Sequence, residues 1–217
     1  MQVAAFFDMD KTLLRCNTGS LWVRYLRRRG EIGRLEMLRA FGWIVQYRFA
    51  LLDFDGVTTR VVAGMAGDSE QELAEKCRQW VGEEVLPQVH PIARARIERH
   101  RGEGHLVAIL SSSSPYVTEP LARELGLDAV LCTRLEVDAG RFTGRILPPV
   151  CYGLGKVQWA ERFAGEHGIS LEESYFYTDS YSDLPMLKRV GRRVVVNPDP
   201  RLRRYARRAG WSVEVWS

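Results

Sequence analysis

Five short apolar runs govern what this chain can fold into: VAAFF at 3–7, LVAIL at 106–110, AVLC at 129–132, SYFYT at 174–178 and RVVVN at 193–197. They are bounded by turn signals and interleaved with stretches of helical spacing. A strand with one wet face alternates apolar and polar residues, whereas a strand covered on both faces reads as continuous apolar sequence. These runs are continuous, so they predict strands of a parallel sheet. VTEPLARELG and KVQWAERFAGEHG place apolar residues at helical spacing and end in Gly, a common helix stop. Strand and helix in alternation predict an α/β fold with a Rossmann-like, doubly wound parallel sheet. LEVDAGRFTGRIL at 135–147 reads as a β-hairpin whose turn is Asp138–Gly140.

Residues 15–91 break the alternation. They hold no convincing buried strand and show long helical periodicity, as in LWVRYLRRRGEIGRLEMLRAFGWIVQYRF and SEQELAEKCRQWVGEEV. The expected organisation is a core of residues 1–14 and 92–217, with 15–91 a helical domain inserted after the first strand. A length of 217 residues suits one large domain with such an insertion. The greasiest region, FGWIVQYRFALL at 41–52, is interrupted by Gln46 and Arg48 and is too short to span a bilayer.

Net charge is +4, concentrated in RRR at 27–29 and in the segment from Lys188 to Arg208. Solvated helix faces are the favoured reading over an anionic partner. Aromatics are not interleaved with these arginines, Tyr205 apart, so no nucleic-acid partner is expected. Cys16, Cys77, Cys132 and Cys151 are scattered without a C-x-x-C pair, which suits a reducing compartment. With no signal-peptide pattern at the N-terminus, a cytoplasmic protein is expected.

Ligands of open α/β sheets bind beyond the carboxyl ends of the strands. Three predicted strand ends here carry reactive or phosphate-competent groups: Asp8, Ser111 and Asp179. Asp8 and Asp10, two apart in FFDMDKTLL, would share one side of an extended chain at ~7 Å. Asp179 and Asp183 in TDSYSDLPML add two acids at a second strand end. Taken alone, Asp183 reads as a helix N-cap. Together the four make an oxygen-rich site for a hard divalent cation, with Mg²⁺ the best fit. Ser111 opens a helix, where hydroxyl and free N–H groups suit a phosphate oxygen. Lys156 begins another helix, although YGLGKV lacks the residues of a nucleotide-binding P-loop. LLDFDGVT at 51–58 repeats the D-x-D pattern behind helical rather than strand spacing, so Asp53 and Asp55 are expected in a loop of the insertion.

D-x-D-x-T after an N-terminal strand, a strand-end Ser, a helix-start Lys and D-S-x-x-D-L-P, in that order, resemble the haloacid-dehalogenase superfamily. The helical insertion after the first motif resembles its phosphoserine-phosphatase-like branch, over essentially the whole chain. The resemblance implies a Mg²⁺-dependent phosphatase of small-molecule phosphate esters. Asp8 would be the nucleophile and Asp10 the acid and base, with Thr12 bracing their loop. Ser111 and the backbone of Ser112 would bind phosphate oxygens, and Lys156 would tie nucleophile to phosphate. Asp179 would ligate the metal with Asp8 and Asp10, and Asp183 would do so indirectly. The inserted helices would be a cap, with Trp22 and Trp43 among the candidates for substrate selection. Asn17 stands where phosphoserine phosphatases grip the substrate's ammonium with an acid, and Ser182 where they carry an Asn. Arg60 is the candidate for binding a substrate carboxylate. These departures leave the ester open, with histidinol phosphate another option. A phosphotransferase, or a binding protein on a retired phosphatase fold, stays as an alternative, and the oligomeric state is left open. Lys11 is expected to point away from both carboxylates, because an extended chain alternates.

Overall fold

Ala4–Phe7 (β1) is buried at every position, and its side chains divide between two apolar cores. Ala5 and Phe7 pack with Val107, Ile109 and Leu121, whereas Ala4 and Phe6 pack with Ala108, Leu110 and Phe163. A strand with a core on each face has no position for a polar residue, which is why the run is continuous. In this computed structural model, residues 1–33 and 54–217 are described.

The other predicted strands follow as Leu106–Ser111 (β2), Ala129–Cys132 (β3), Tyr175–Thr178 (β6) and Arg192–Val196 (β7). With Val213–Glu214 (β8) they form a parallel sheet in the order β3-β2-β1-β6-β7-β8. At two residues, β8 is too short to leave a pattern in the sequence. From β1 the chain winds first to β2 and β3, then returns to the other side at β6. The order therefore reverses between β1 and β6, where such sheets form a crevice.

Helices cover both faces. Pro91–Gly102 (α4) and Pro115–Leu125 (α5) contribute Ala93, Ile97 and Leu121 to one core. Leu154–His167 (α6), Leu184–Arg189 (α7) and Pro200–Arg208 (α8) contribute Phe163, Leu187 and Leu202 to the other. α5 and α6 stop at Gly126 and Gly168, both left-handed at φ 62° and 63°.

Between β1 and β2 lie Thr18–Arg28 (α1), Phe54–Ala63 (α2) and Glu70–Trp80 (α3). Chain exit and return are adjacent: Leu14 bridges Val89, His90 N–H donates to Leu13 O at 2.8 Å, and Arg15 N–H donates to Gln88 O at 2.9 Å. Trp22 and Trp80 meet edge to face at 4.9 Å beside Tyr25. Trp43, Asp53 and the 41–52 run lie outside the described residues. Asp55 belongs to α2 rather than to the expected loop. The helical spacing that argued against a strand there continues through it, so a helix is its natural outcome.

The hairpin is Arg134–Asp138 (β4) and Arg141–Leu147 (β5). Ala139 and Gly140 turn it with φ of 48° and 75°, the two positive values that a tight primed turn requires. It is laced to the insertion: Phe142 N–H donates to Asp68 O at 3.0 Å and Gly67 N–H to Phe142 O at 2.8 Å.

Candidate active site

After β1 the chain does not stay extended. Met9–Leu13 makes one wide turn closed by Leu13 N–H to Asp8 O (3.2 Å) and Leu14 N–H to Met9 O (2.9 Å). Lys11 occupies the left-handed region at φ 58°, which a residue with a Cβ adopts at a cost. The alternation expected at Lys11 therefore fails. Its positive charge acts on both Asp10 and Asp179, in each case opposing the effect of burial.

Lys156 joins two strand ends. Its Nζ donates to Asp8 Oδ1 at 2.6 Å and to Asp183 Oδ2 at 2.8 Å, and all three residues are buried. Its position is fixed by Gly155 beside it, where a Cβ would come 1.8 Å from the Val150 carbonyl oxygen. Burial works against the ammonium, but Asp183 and Asp8 outweigh it and the Lys156 pKa is raised. Lys156 is a fixed cation.

The carboxylates are less comfortable. Burial pushes Asp8 up to about 7, opposed by Lys156 and reinforced by Asp183 and Asp10. Burial raises Asp10 as well, against the backbone hydrogen bond it accepts from Thr18. Asp179 is driven well above its ordinary value of 3.8, by burial and then by Asp8. One ammonium cannot neutralise this group.

Ser111 ends β2, is buried, and accepts a hydrogen bond from Ser113 N–H at 3.2 Å, with Ser112 between them. Asn17 is turned inward: its Nδ2 donates to Asp10 Oδ2 at 2.7 Å, and its Oδ1 caps α1 by accepting from Ser20 N–H at 2.9 Å. Thr18 N–H holds the other oxygen, Asp10 Oδ1, at 3.0 Å. Arg60 is exposed on α2, the helix that packs on β5. Asp183 is no simple cap, since its side chain caps nothing and Oδ2 instead accepts from Lys156 and Thr178.

At this edge two buried oxygens, Thr12 Oγ1 and Asp183 Oδ1, have no hydrogen-bond partner among the described residues. Partnerless oxygens, clustered acids and raised carboxyl pKa values all suit a site for a hard cation. The donor set is all oxygen, as Mg²⁺ prefers. Asp8, Asp10 and Asp179 are the residues that would hold it.

The model of the haloacid dehalogenase-like hydrolases matches residues 5–188. The chain belongs to this family. The hydrolase is 30% identical to a histidinol-phosphatase of Neisseria meningitidis serogroup C, over 98% of each chain. It is 31% identical to the phosphoserine phosphatase SerB1 of Mycobacterium tuberculosis, covering 98% of this chain and 70% of that one. A solved structure of a Bordetella pertussis Tohama I protein of unknown function superposes with a TM-score of 0.87 at 30% identity, over 98% of each. These relatives place the hydrolase among the phosphoric monoester hydrolases of the family.

Two residues of the site escape a motif reading. Thr178 donates from Oγ1 to Asp183 Oδ2 at 2.7 Å and accepts from Ser180 N–H at 3.1 Å, shaping the loop from within. Asp199 accepts from Tyr181 N–H at 2.6 Å, and its own N–H donates to Asp179 O at 2.8 Å. A capping signal was available for Asp199, which precedes Pro200 and caps α8, but its second oxygen serves the loop between Asp179 and Asp183.

Proposed function

We propose that this hydrolase is a Mg²⁺-dependent phosphatase that cleaves a small phosphate monoester through an aspartyl-phosphate on Asp8. The observation that carries this reading is the buried Lys156 bridge, which fixes Asp8 Oδ1 and leaves Oδ2 to attack. Mg²⁺ bound among Asp8, Asp10 and Asp179 would offset the charge of the phosphate dianion. Asp8 Oδ2 attacks phosphorus and the bond to the ester oxygen breaks. Asp10, whose pKa burial raises, gives its proton to the departing alcohol oxygen. It then takes a proton from water as that oxygen attacks the aspartyl-phosphate, which restores both carboxyls. Asn17 and Thr18 hold Asp10 by both oxygens, so the proton is delivered from a fixed place. Ser111 and Ser112 receive the phosphate oxygens, and Lys156 keeps nucleophile and phosphate together.

Residues 15–91 act as the cap over this edge, joined to the core 1–14 and 92–217 where Leu14 meets Val89. The names of the relatives support an amino-bearing ester, phosphoserine or histidinol phosphate, as substrate class. Arg60 is kept as the candidate for a substrate carboxylate. Scattered free thiols support a cytoplasmic setting. The test is turnover of a phosphorylated-metabolite panel with Mg²⁺, comparing the parent with Asp8→Asn. A fall of at least ~10³-fold in kcat is expected, with a borohydride-trappable acyl-phosphate on the parent alone. Full Mg²⁺-dependent turnover by Asp8→Asn would sink the assignment.

A further inference from the structure

Among the described residues nine arginines are matched with acids, such as Arg78 with Glu75, Arg134 with Glu119 and Arg189 with Glu161. α8, PRLRRYARR, is different, with five arginines and no acid. Among the described residues none of the five forms an ion pair. Leu202 and Ala206 are fully buried and pin the helix to the core. Arg201, Arg204, Tyr205 and Arg208 stand at i, i+3, i+4 and i+7, and so share one outward face. With Tyr181 they line a hollow of about 160 Å³. The Arg201 guanidinium lies 4.5 Å from the Tyr181 ring centre, and Tyr205 meets Tyr181 edge to face at 6.3 Å. Lys188 adds a further cation over Tyr205 at 5.4 Å.

A merely solvated face would intersperse acids, as α3, α4, α5 and α6 do. Here the adjacent acid, Asp199, is turned away: Oδ1 accepts from Arg201 and Leu202 N–H and Oδ2 from Tyr181 N–H. We infer that this hollow is a second anion site, which takes a small soluble molecule bearing linked phosphate groups. Three arginines line one hollow beside two aromatic rings, a set of donors that suits several phosphate oxygens held together. The site is also wired to the catalytic edge. Tyr181 lies between Asp179 and Asp183, and Asp199 joins the start of α8 to both Tyr181 N–H and Asp179 O. An anion that orders Arg201 and Tyr181 therefore orders the loop that carries the two acids. This coupling rests on the proposed catalytic reading; binding itself does not.

The probe is sodium tripolyphosphate, titrated calorimetrically at low salt into the full chain treated with EDTA. Without metal the negative catalytic edge repels the probe. One saturable site is expected in the parent, weakened at least ~10-fold in R204E/R208E and measurably in the milder R204Q/R208Q. Circular dichroism melts of each variant check the fold. At fixed free Mg²⁺, tripolyphosphate should change KM or kcat for an aryl phosphate in the parent and leave R204E/R208E unmoved. Equal affinity in parent and folded variants overturns the site, and equal inhibition of both overturns the coupling. Binding of phosphatidylglycerol vesicles or single-stranded oligonucleotide, but not tripolyphosphate, overturns the ligand class. Binding without turnover of any ester would sink the catalytic reading and leave the anion site standing.

Discussion

Asp179 and Glu136 are both carboxylates with a cation in range, yet their environments push them opposite ways. Asp179 is raised well above its ordinary value by burial and by Asp8. Glu136, on the exposed hairpin, is lowered by hydrogen bonds from Thr143 and Arg145. Glu31, after α1, is likewise lowered, first by its hydrogen bond from Lys76. The hairpin and insertion put charges where water shares the cost of solvation and a partner improves matters. The sheet edge puts charges where water is excluded and supplies too few partners. The first arrangement serves stability, modestly; the second costs stability, and the proposed cation would relieve that cost.

The sharpest way to break this contrast is Lys156→Met, which keeps the length of the side chain and removes the charge. Asp8 and Asp183 would then be buried without their shared cation. Loss of ~3–5 kcal/mol is expected in EDTA, with kcat down at least ~10³-fold in Mg²⁺. Urea melts and turnover measure both. A variant as stable as its parent in EDTA would mean that the edge is not short of positive charge.

The pH dependence of stability separates the regions by sign. Asp8 has a folded pKa of about 7 against an ordinary 3.8, so between those values the folded state binds more protons. Its contribution is fully present below about 3.8 and is lost as pH rises through about 7, on the order of a few kcal/mol. Glu31 and Glu136 contribute above their ordinary value of 4.5 and lose that contribution as pH falls. In EDTA, melts should therefore show stability declining from weakly acidic to neutral pH, and Mg²⁺ should flatten the decline. A stability rising steadily to neutral pH without metal would contradict the picture of the buried edge.

What the sequence disclosed follows the same division. Continuous apolar runs announced the buried strands because both faces of β1 meet a core, and strand ends announced Asp8, Ser111 and Asp179. The sequence was silent about β8, whose two residues carry no period. It misled at Lys11, because nothing in a D-x-D-K-T string says that the chain turns after the first letter and is left-handed at the fourth. It set Asn17 beside the site without disclosing that its side chain holds Asp10 and the start of α1. Thr178 was hidden in plain sight as the last residue of a strand. Its role depends on a five-residue loop folding back on itself, which only tertiary geometry reveals.

Lys11→Gly tests the turn itself. Glycine adopts φ 58° freely, so the substitution should stabilise the Mg²⁺-bound protein by about 1 kcal/mol. In EDTA the gain should shrink, because Asp10 and Asp179 lose a charge that opposes their burial. A gain equal in both conditions would show that Lys11 matters only through its backbone.

Glu136→Gln supplies the other end of the scale. Glu136 accepts from Arg145 Nε at 2.6 Å, but the Arg145 side chain is 73% exposed. Water screens such a pair, and both side chains give up freedom to form it, so stability should hardly change. The amide retains an oxygen for Thr143, which removes the charge while keeping much of the geometry. Thermal melts at low and high salt measure it, with high salt erasing what little difference low salt shows. A loss approaching that of Lys156→Met would mean that the hairpin, too, depends on its charges, and that burial is not what sets the two kinds of acid apart.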